Sequence, residues 1–281
     1  MNVDTWTDEQ RTTTVAVDGH GAEIAYYEAG TDNDGPPVVF VHGIPTWSYL
    51  WEPVVEAVAG ERHVVAMDMI GYGNSTMADG IDRSIRAQEQ ALAGLVDQLG
   101  SEQVSLVGHD IGGGVVSRFA VHQPGRVPNL VLSNAVCYDS WPVSFINGLG
   151  VPSTLERAPD ELEAELREVL EEGVYGEPTE HEDFVEGMVH PWTQSGGWRS
   201  LVRNAVATNT NHTLELEYGD IEADTTLLWG ADDILQPIDY AERLAEDVGG
   251  DATVVPIEDA YHWVVEDRPE EYREELLEIY G

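Results

Sequence analysis

The chain contains no lysine, and its 13 basic residues stand against 53 aspartates and glutamates, a formal net charge of −40 over 281 residues. A field of that sign repels nucleic acid and anionic membrane surfaces, so neither is expected as a partner. It also strains the compact state at low salt. Screening shortens from about 10 Å at 0.1 M to about 3 Å at 1 M salt, and the acids are spread along the chain apart from a dense patch at 155–183. This points to a halophilic host with a salt-filled cytoplasm; equal melting temperatures at low and high KCl would remove that expectation. Cysteine is nearly absent too. The one thiol, Cys137, has no partner for an internal disulfide or a thiolate metal site, and is expected as a small buried apolar residue. No stretch reaches the roughly 18 to 20 apolar residues of a membrane span. The start, MNVDTWTDEQ, has neither the basic end nor the apolar run of an export signal, so a cytoplasmic location is expected.

What is present is a well-filled globular chain, 42% hydrophobic with 8 tryptophans. Short apolar or β-rich runs (TTTVAV, AEIAYYEAG, PPVVFV, HVVAMDM, QVSLVG, NLVLSNAV, TTLLWG and ATVVPI) alternate with helix-period segments. Most of these runs are continuous instead of alternating, as strands are when both faces of a parallel sheet are covered. Ser84 to Leu99 sets Ile85, Leu92, Leu95, Val96 and Leu99 on one stripe, with Gly100 as the stop. The pattern predicts a doubly wound α/β sheet opening with an antiparallel hairpin.

The alternation stops between Tyr138 and Gly219. The segment DELEAELREVLEEG carries Leu162, Leu166, Val169 and Leu170 at helical spacing, and a stretch rich in Trp and His follows. This predicts a helical cap, residues 138–218, inserted into a main domain formed by 1–137 and 219–281, with a pocket between the two.

Three stretches carry candidate chemistry. Gly108-His109-Asp110-Ile111-Gly112 is a glycine-flanked turn between strand and helix, which lifts its central side chain clear beside a helix N-terminus that favours an anion. A simple helix-capping aspartate is the rival reading. In LLWGADDILQP, Asp233, or failing it Asp232, is placed to orient a histidine ring and stabilise its cation. His262, in the loop ahead of the last helix, follows both in the order nucleophile, acid, histidine. His109 points away from its neighbour, and His190 and His212 belong to the cap.

The chain resembles the α/β-hydrolases of the haloalkane dehalogenase and epoxide hydrolase group over nearly its whole length. HGIPTWSYLW at 42–51 is similar to the HGxPTxSYLW segment of haloalkane dehalogenases, and DMIGYGNS at 68–75 and the GHDxGG elbow also match. The resemblance implies an α/β-hydrolase fold with a mostly parallel eight-stranded sheet. It also implies Asp110 as nucleophile, His262 as base, Asp233 as its orienting acid, the backbone N–H groups of Ile44 and Ile111 as oxyanion hole, and no cofactor or metal. A carboxylate with an ordinary pKa near 3.9 is already anionic at pH 7 and attacks an sp³ carbon directly, which suits halides and epoxides better than esters. Two departures stand out. The halide-binding Trp after the nucleophile and Asn after HG are replaced by Ile111 and Ile44. Trp141, Trp192 and Trp198 are the substitute indole donors, and Tyr175, with Tyr138 and Tyr218, the candidate epoxide acids. Carbon–halogen hydrolysis of a small molecule is therefore the leading expectation, followed by epoxide hydrolysis, then ester or lactone cleavage, or a binding protein that has lost its chemistry.

Overall fold

The computed structural model describes residues 1–281. Eight strands, β1 (Arg11–Val17), β2 (His20–Ala29), β3 (Val38–Val41), β4 (Val64–Met67), β5 (Ser105–His109), β6 (Asn129–Ser133), β7 (Asp224–Gly230) and β8 (Ala252–Ile257), form one sheet in the order β1-β2-β4-β3-β5-β6-β7-β8. β1 and β2 pair antiparallel, β2 meets β4 antiparallel, and every later pairing is parallel. The eight apolar runs of the sequence are these eight strands. β3, β4 and β5 are buried at every position, which is why they carry no alternation.

Helices α1 (Val3–Glu9), α2 (Glu52–Ala59), α3 (Ile85–Leu99) and α4 (Ile111–His122) precede β6; α3 packs on α4. Ser84 caps α3 by accepting from the Ala87 N–H, and Gly100 ends it at φ 71°. Five helices fill the interval between β6 and β7: α5 (Ser144–Leu149), α6 (Pro159–Glu172), α7 (Glu182–Thr193), α8 (Gly197–Val206) and α9 (Asn211–Leu214). The chain closes with α10 (Asp239–Asp247), α11 (Val264–Asp267) and α12 (Pro269–Tyr280), the last against α2. No helix is long and apolar enough to cross a membrane.

The inserted helices share one apolar core with the sheet, running from Val39 and Leu106 to Leu166, Met188 and Leu201. Polar ties fix their placement. Buried Arg83 donates to the Ser200 and Asn204 side chains of α8. The Trp263 indole donates to the Leu170 carbonyl at 3.0 Å, and its backbone N–H donates to the Gly173 carbonyl. A Cβ on Gly173 would stand 2.4 Å from the Trp263 indole nitrogen, so glycine is what lets α6 end directly over the His262 loop. Cys137 is buried and free, as expected.

Candidate active site

β5 ends at His109, and the chain turns into α4 through Asp110 at φ 51°, ψ −123°, a conformation an L-residue adopts only under strain. The flanking glycines are required by close approach. A Cβ on Gly112 would lie 2.2 Å from the Val41 carbonyl oxygen, and one on Gly108 2.6 Å from that of Gly112. The Asp110 side chain makes no helix-capping hydrogen bond, so the capping reading falls. Its Oδ1 instead accepts the Ile44 N–H at 2.8 Å, and the Ile111 N–H also favours the charged carboxylate. Gly43 leaves the room: a Cβ there would meet Asp110 at 2.4 Å.

The other oxygen, Oδ2, lies 3.8 Å from His262 Nε2, beside it and too far for a hydrogen bond. A carboxylate that is already an anion has no proton to share with the ring. On the far side of the ring, His262 Nδ1 donates to Asp233 Oδ2 at 2.9 Å. Asp233 is 7% exposed while Asp232 is exposed, so the fold selects Asp233.

Asn134, at φ 44° just after β6, is a residue that sequence reasoning missed. Its amide oxygen accepts the Gly230 N–H at 3.2 Å, which forces its Nδ2 toward Asp233 Oδ2 at 2.6 Å. Leu235 N–H donates to the other Asp233 oxygen at 2.7 Å. The only advance signal was an asparagine, a residue that tolerates left-handed backbone, at a strand end. Beneath, His109 Nε2 donates to the His262 carbonyl at 2.8 Å, with the two rings 4.8 Å apart. Burial drives the His109 pKa down to about 3, so this ring stays neutral under its neighbour.

Burial pushes the Asp110 carboxyl up to about 6, against the pull of His262 and the two backbone N–H groups. The ordinary value expected from sequence is thus corrected, because a nearly dry site penalises the anion. At pH 7 the group is still about nine-tenths ionised. Burial lowers the His262 pKa, but the charge and hydrogen bond of Asp233, with the charge of Asp110, outweigh it and leave the ring above its usual value. For Asp233 burial acts upward, and His262, Asn134 and Leu235 hold the carboxyl below its usual value.

Asp110 and His262 open into a cavity of about 480 Å³. Ile44, Pro45 and Trp263 line its main-domain side, Trp141 to Ile146 with Val169, Glu172 and Gly173 supply cap residues, and Ile234 to Gln236 close it. Of the pocket residues expected from sequence, Trp141 lines it. Trp192 does not: its indole donates to the Pro45 carbonyl at 2.7 Å within the core. Nor does Tyr175, whose hydroxyl bonds exposed Asp259. Tyr138 donates to Asp247 and Tyr218 to the Thr213 carbonyl. Trp198, His190 and His212 are likewise absent from the lining. The sequence showed which side chains were aromatic and inserted, but not which way each helix faces.

The arrangement provides an anion beside the Ile44 and Ile111 N–H groups and a histidine oriented by a carboxylate, at the base of a cavity. No His, Cys, Asp and Glu cluster fit to hold a metal is present. The family described as alpha/beta hydrolase fold matches residues 36–160. The chain is 26% identical over 281 residues to haloalkane dehalogenase 2 of Mycobacterium tuberculosis, covering 94% of this chain and 93% of that protein. It is 28% identical over 233 residues to a 2-hydroxy-6-oxo-2,4-heptadienoate hydrolase of Pseudomonas putida, 80% of each. It is 26% identical to epoxide hydrolase 1 of Caenorhabditis elegans, over 90% of this chain and 66% of that protein. Among solved structures, an alpha/beta hydrolase fold protein of Burkholderia ambifaria superposes with a TM-score of 0.83 at 23% identity, covering 95% of this chain and 97% of that one.

Proposed function

We propose that this chain, a hydrolase of the α/β-hydrolase superfamily with haloalkane dehalogenase and epoxide hydrolase relatives, hydrolyses a neutral organic halide through an ester on Asp110. Oδ2 attacks the sp³ carbon that bears the halogen, and the bonding pair leaves with the halide. The ester carbonyl oxygen is then Oδ1, already placed at the Ile44 N–H. His262 Nε2 takes a proton from water as the water oxygen adds to the carboxyl carbon. The two N–H groups stabilise the resulting oxyanion, an effect worth about 3 kcal/mol per donor. Collapse expels the alkoxide, which takes the proton back from His262, and Asp110 returns as a carboxylate after losing one proton to solvent. The sum is one halide, one proton and one alcohol per water consumed.

The observation that carries the choice of leaving group is the polarity of the lining. Opening an epoxide creates an alkoxide that needs an acid, and no tyrosine lines the cavity. A halide needs no proton, only a donor, and the buried Trp141 indole N–H has no partner in the protein. The cavity also holds no arginine, and Glu172 is its one carboxylate besides Asp110. A substrate carboxylate would therefore meet two negative groups and no cation, which favours neutral halides.

His262→Phe tests the reading. Incubated with a bromoalkane, this variant should release about one bromide per chain and then stall. The Asp110 peptide should carry the alkyl mass. Full turnover by the variant, or a diol-forming adduct obtained only with epoxides, would overturn it.

A further inference from the structure

Three carboxylates favour the charged form of His262, those of Asp233, Asp110 and Asp267, and the mechanism above uses the first two. Asp267, at the end of α11, is 8% exposed and does not line the cavity. Its two oxygens are taken by backbone amides from different parts of the chain. Oδ2 accepts the Tyr261 N–H at 2.7 Å, the amide of the residue that precedes His262. Oδ1 accepts the Tyr175 N–H at 2.8 Å, in the inserted segment just beyond Gly173, which lines the cavity. Only a carboxylate serves both, because an asparagine side chain would set its NH₂ against one of the two N–H groups.

A parallel tie joins the same stretches. His181 Nδ1 donates to Glu266 Oε1 at 2.8 Å, and His181 Nε2 donates to the Tyr175 carbonyl at 3.0 Å. That tie ends on α11; the bond to the amide beside His262 belongs to Asp267 alone. We infer that Asp267 is a positioning residue for the second half of the reaction: by bonding Tyr261 and Tyr175 at once, it makes the His262 loop and the inserted segment beside the cavity one unit, and so keeps Nε2 aimed at the water that opens the Asp110 ester. The inference rests on the function proposed above for its chemical consequence, and on the two hydrogen bonds for the coupling itself. Attack by Asp110 needs no base, so the first step is indifferent to this contact. The second step needs Nε2 within hydrogen-bond reach of the water, and a small displacement of a reacting group is costly.

The test follows single turnovers of 1-bromobutane with the protein in excess, bromide release reporting the first step and butanol release the second. In Asp267→Asn, bromide release should stay within about threefold of wild type, while butanol release slows by about 10-fold or more and the Asp110 peptide carries the butyl mass in the interval. His181→Gln, which cuts the parallel tie and leaves Asp267 bonded, should keep both steps within about threefold of wild type. Equal slowing of both steps, butanol release as fast as in wild type, or a loss of the same size in His181→Gln would overturn the role of Asp267. Two NMR measurements need no turnover. The His262 Nδ1 proton, held by Asp233 in wild type, should broaden through exchange with water in Asp267→Asn, and a signal as sharp as in wild type would overturn the inference. In the wild-type protein the Tyr175 and Tyr261 amides should have protection factors within about threefold of each other, because one carboxylate closes both. A wider gap would overturn the single unit, even if Asp267→Asn fails to fold. If wild type releases no bromide while the two amides exchange together and the Nδ1 proton broadens in the variant, the coupling stands and the chemistry proposed for Asp110 falls.

Discussion

The floor of the cavity and its wall use their polar atoms in opposite ways. On the floor, each oxygen of Asp233 has a protein donor, and Asp110 Oδ1 has the Ile44 N–H. On the wall, Trp141 and Gln236 are just as buried and have an atom each with no partner at all. A floor satisfied before substrate arrives is preorganised, so it has no reorganisation cost at the moment of reaction. The open atoms of the wall have no such preorganised partners. The difference teaches that preorganisation is concentrated at the floor.

The largest expected effect breaks the floor. Asp110→Asn should lower kcat by about 10⁴-fold or more, as loss of a nucleophile does. It should also make the fold more stable. The Asp110 pKa is about 6 when folded, above its ordinary 3.8, so its protonated form is the one the fold prefers. That contribution is fully present below 3.8 and is lost as pH rises through 6, after which the buried charge costs up to about 3 kcal/mol. Urea denaturation should therefore show Asp110→Asn above wild type at pH 8, with the gap closing near pH 4. A variant less stable than wild type at pH 8 would mean that the site is not a strained centre of charge.

An intermediate effect comes from the wall. Trp141→Phe keeps an aromatic ring and removes the donor, so kcat for halide release should fall by about 10²-fold. The loss should be greater for a chloroalkane than for an iodoalkane, since the poorer leaving group needs more help. Stability should fall by about 1 to 2 kcal/mol, because the smaller ring leaves a void in the core, while no protein hydrogen bond is lost. Uniform loss across the halides would assign Trp141 to packing.

Asn134 apart, the floor was legible in the sequence, and Trp141 apart, the wall was not, for a physical reason. Asp110 sits between glycines that the backbone demands, so its environment was written within five residues. Asp233 was narrowed to a pair, and the end of β7 chose between Asp232 and Asp233. The eight strands were legible because a parallel sheet needs continuous apolar runs. By contrast Trp192 and Tyr175 were aromatic residues in the right segment, yet the rotation of α7 and the loop after α6 turns them to Pro45 and Asp259. Asn134 had only a faint local mark, because it matters through the Gly230 N–H and the Asp233 carboxylate, contributed by a distant strand and loop.

The smallest expected effect lies within the floor, at Asn134. Its N–H draws charge from the same Asp233 oxygen that faces His262, which weakens the pull of Asp233 on the imidazolium. Asn134→Ala removes that competitor. The His262 pKa, already above its usual value, should rise further, and since the base must be neutral to take a proton from water, the acid limb of kcat should shift up by about half a pH unit. Rates on the alkaline plateau should stay within about threefold of wild type, because the Asp233–His262 bond remains. Asn134 would instead be a positional brace if its removal lowered the plateau and left the limb in place. The two outcomes separate electrostatic tuning of the base through the 2.6 Å Asn134–Asp233 bond from simple support of the loop.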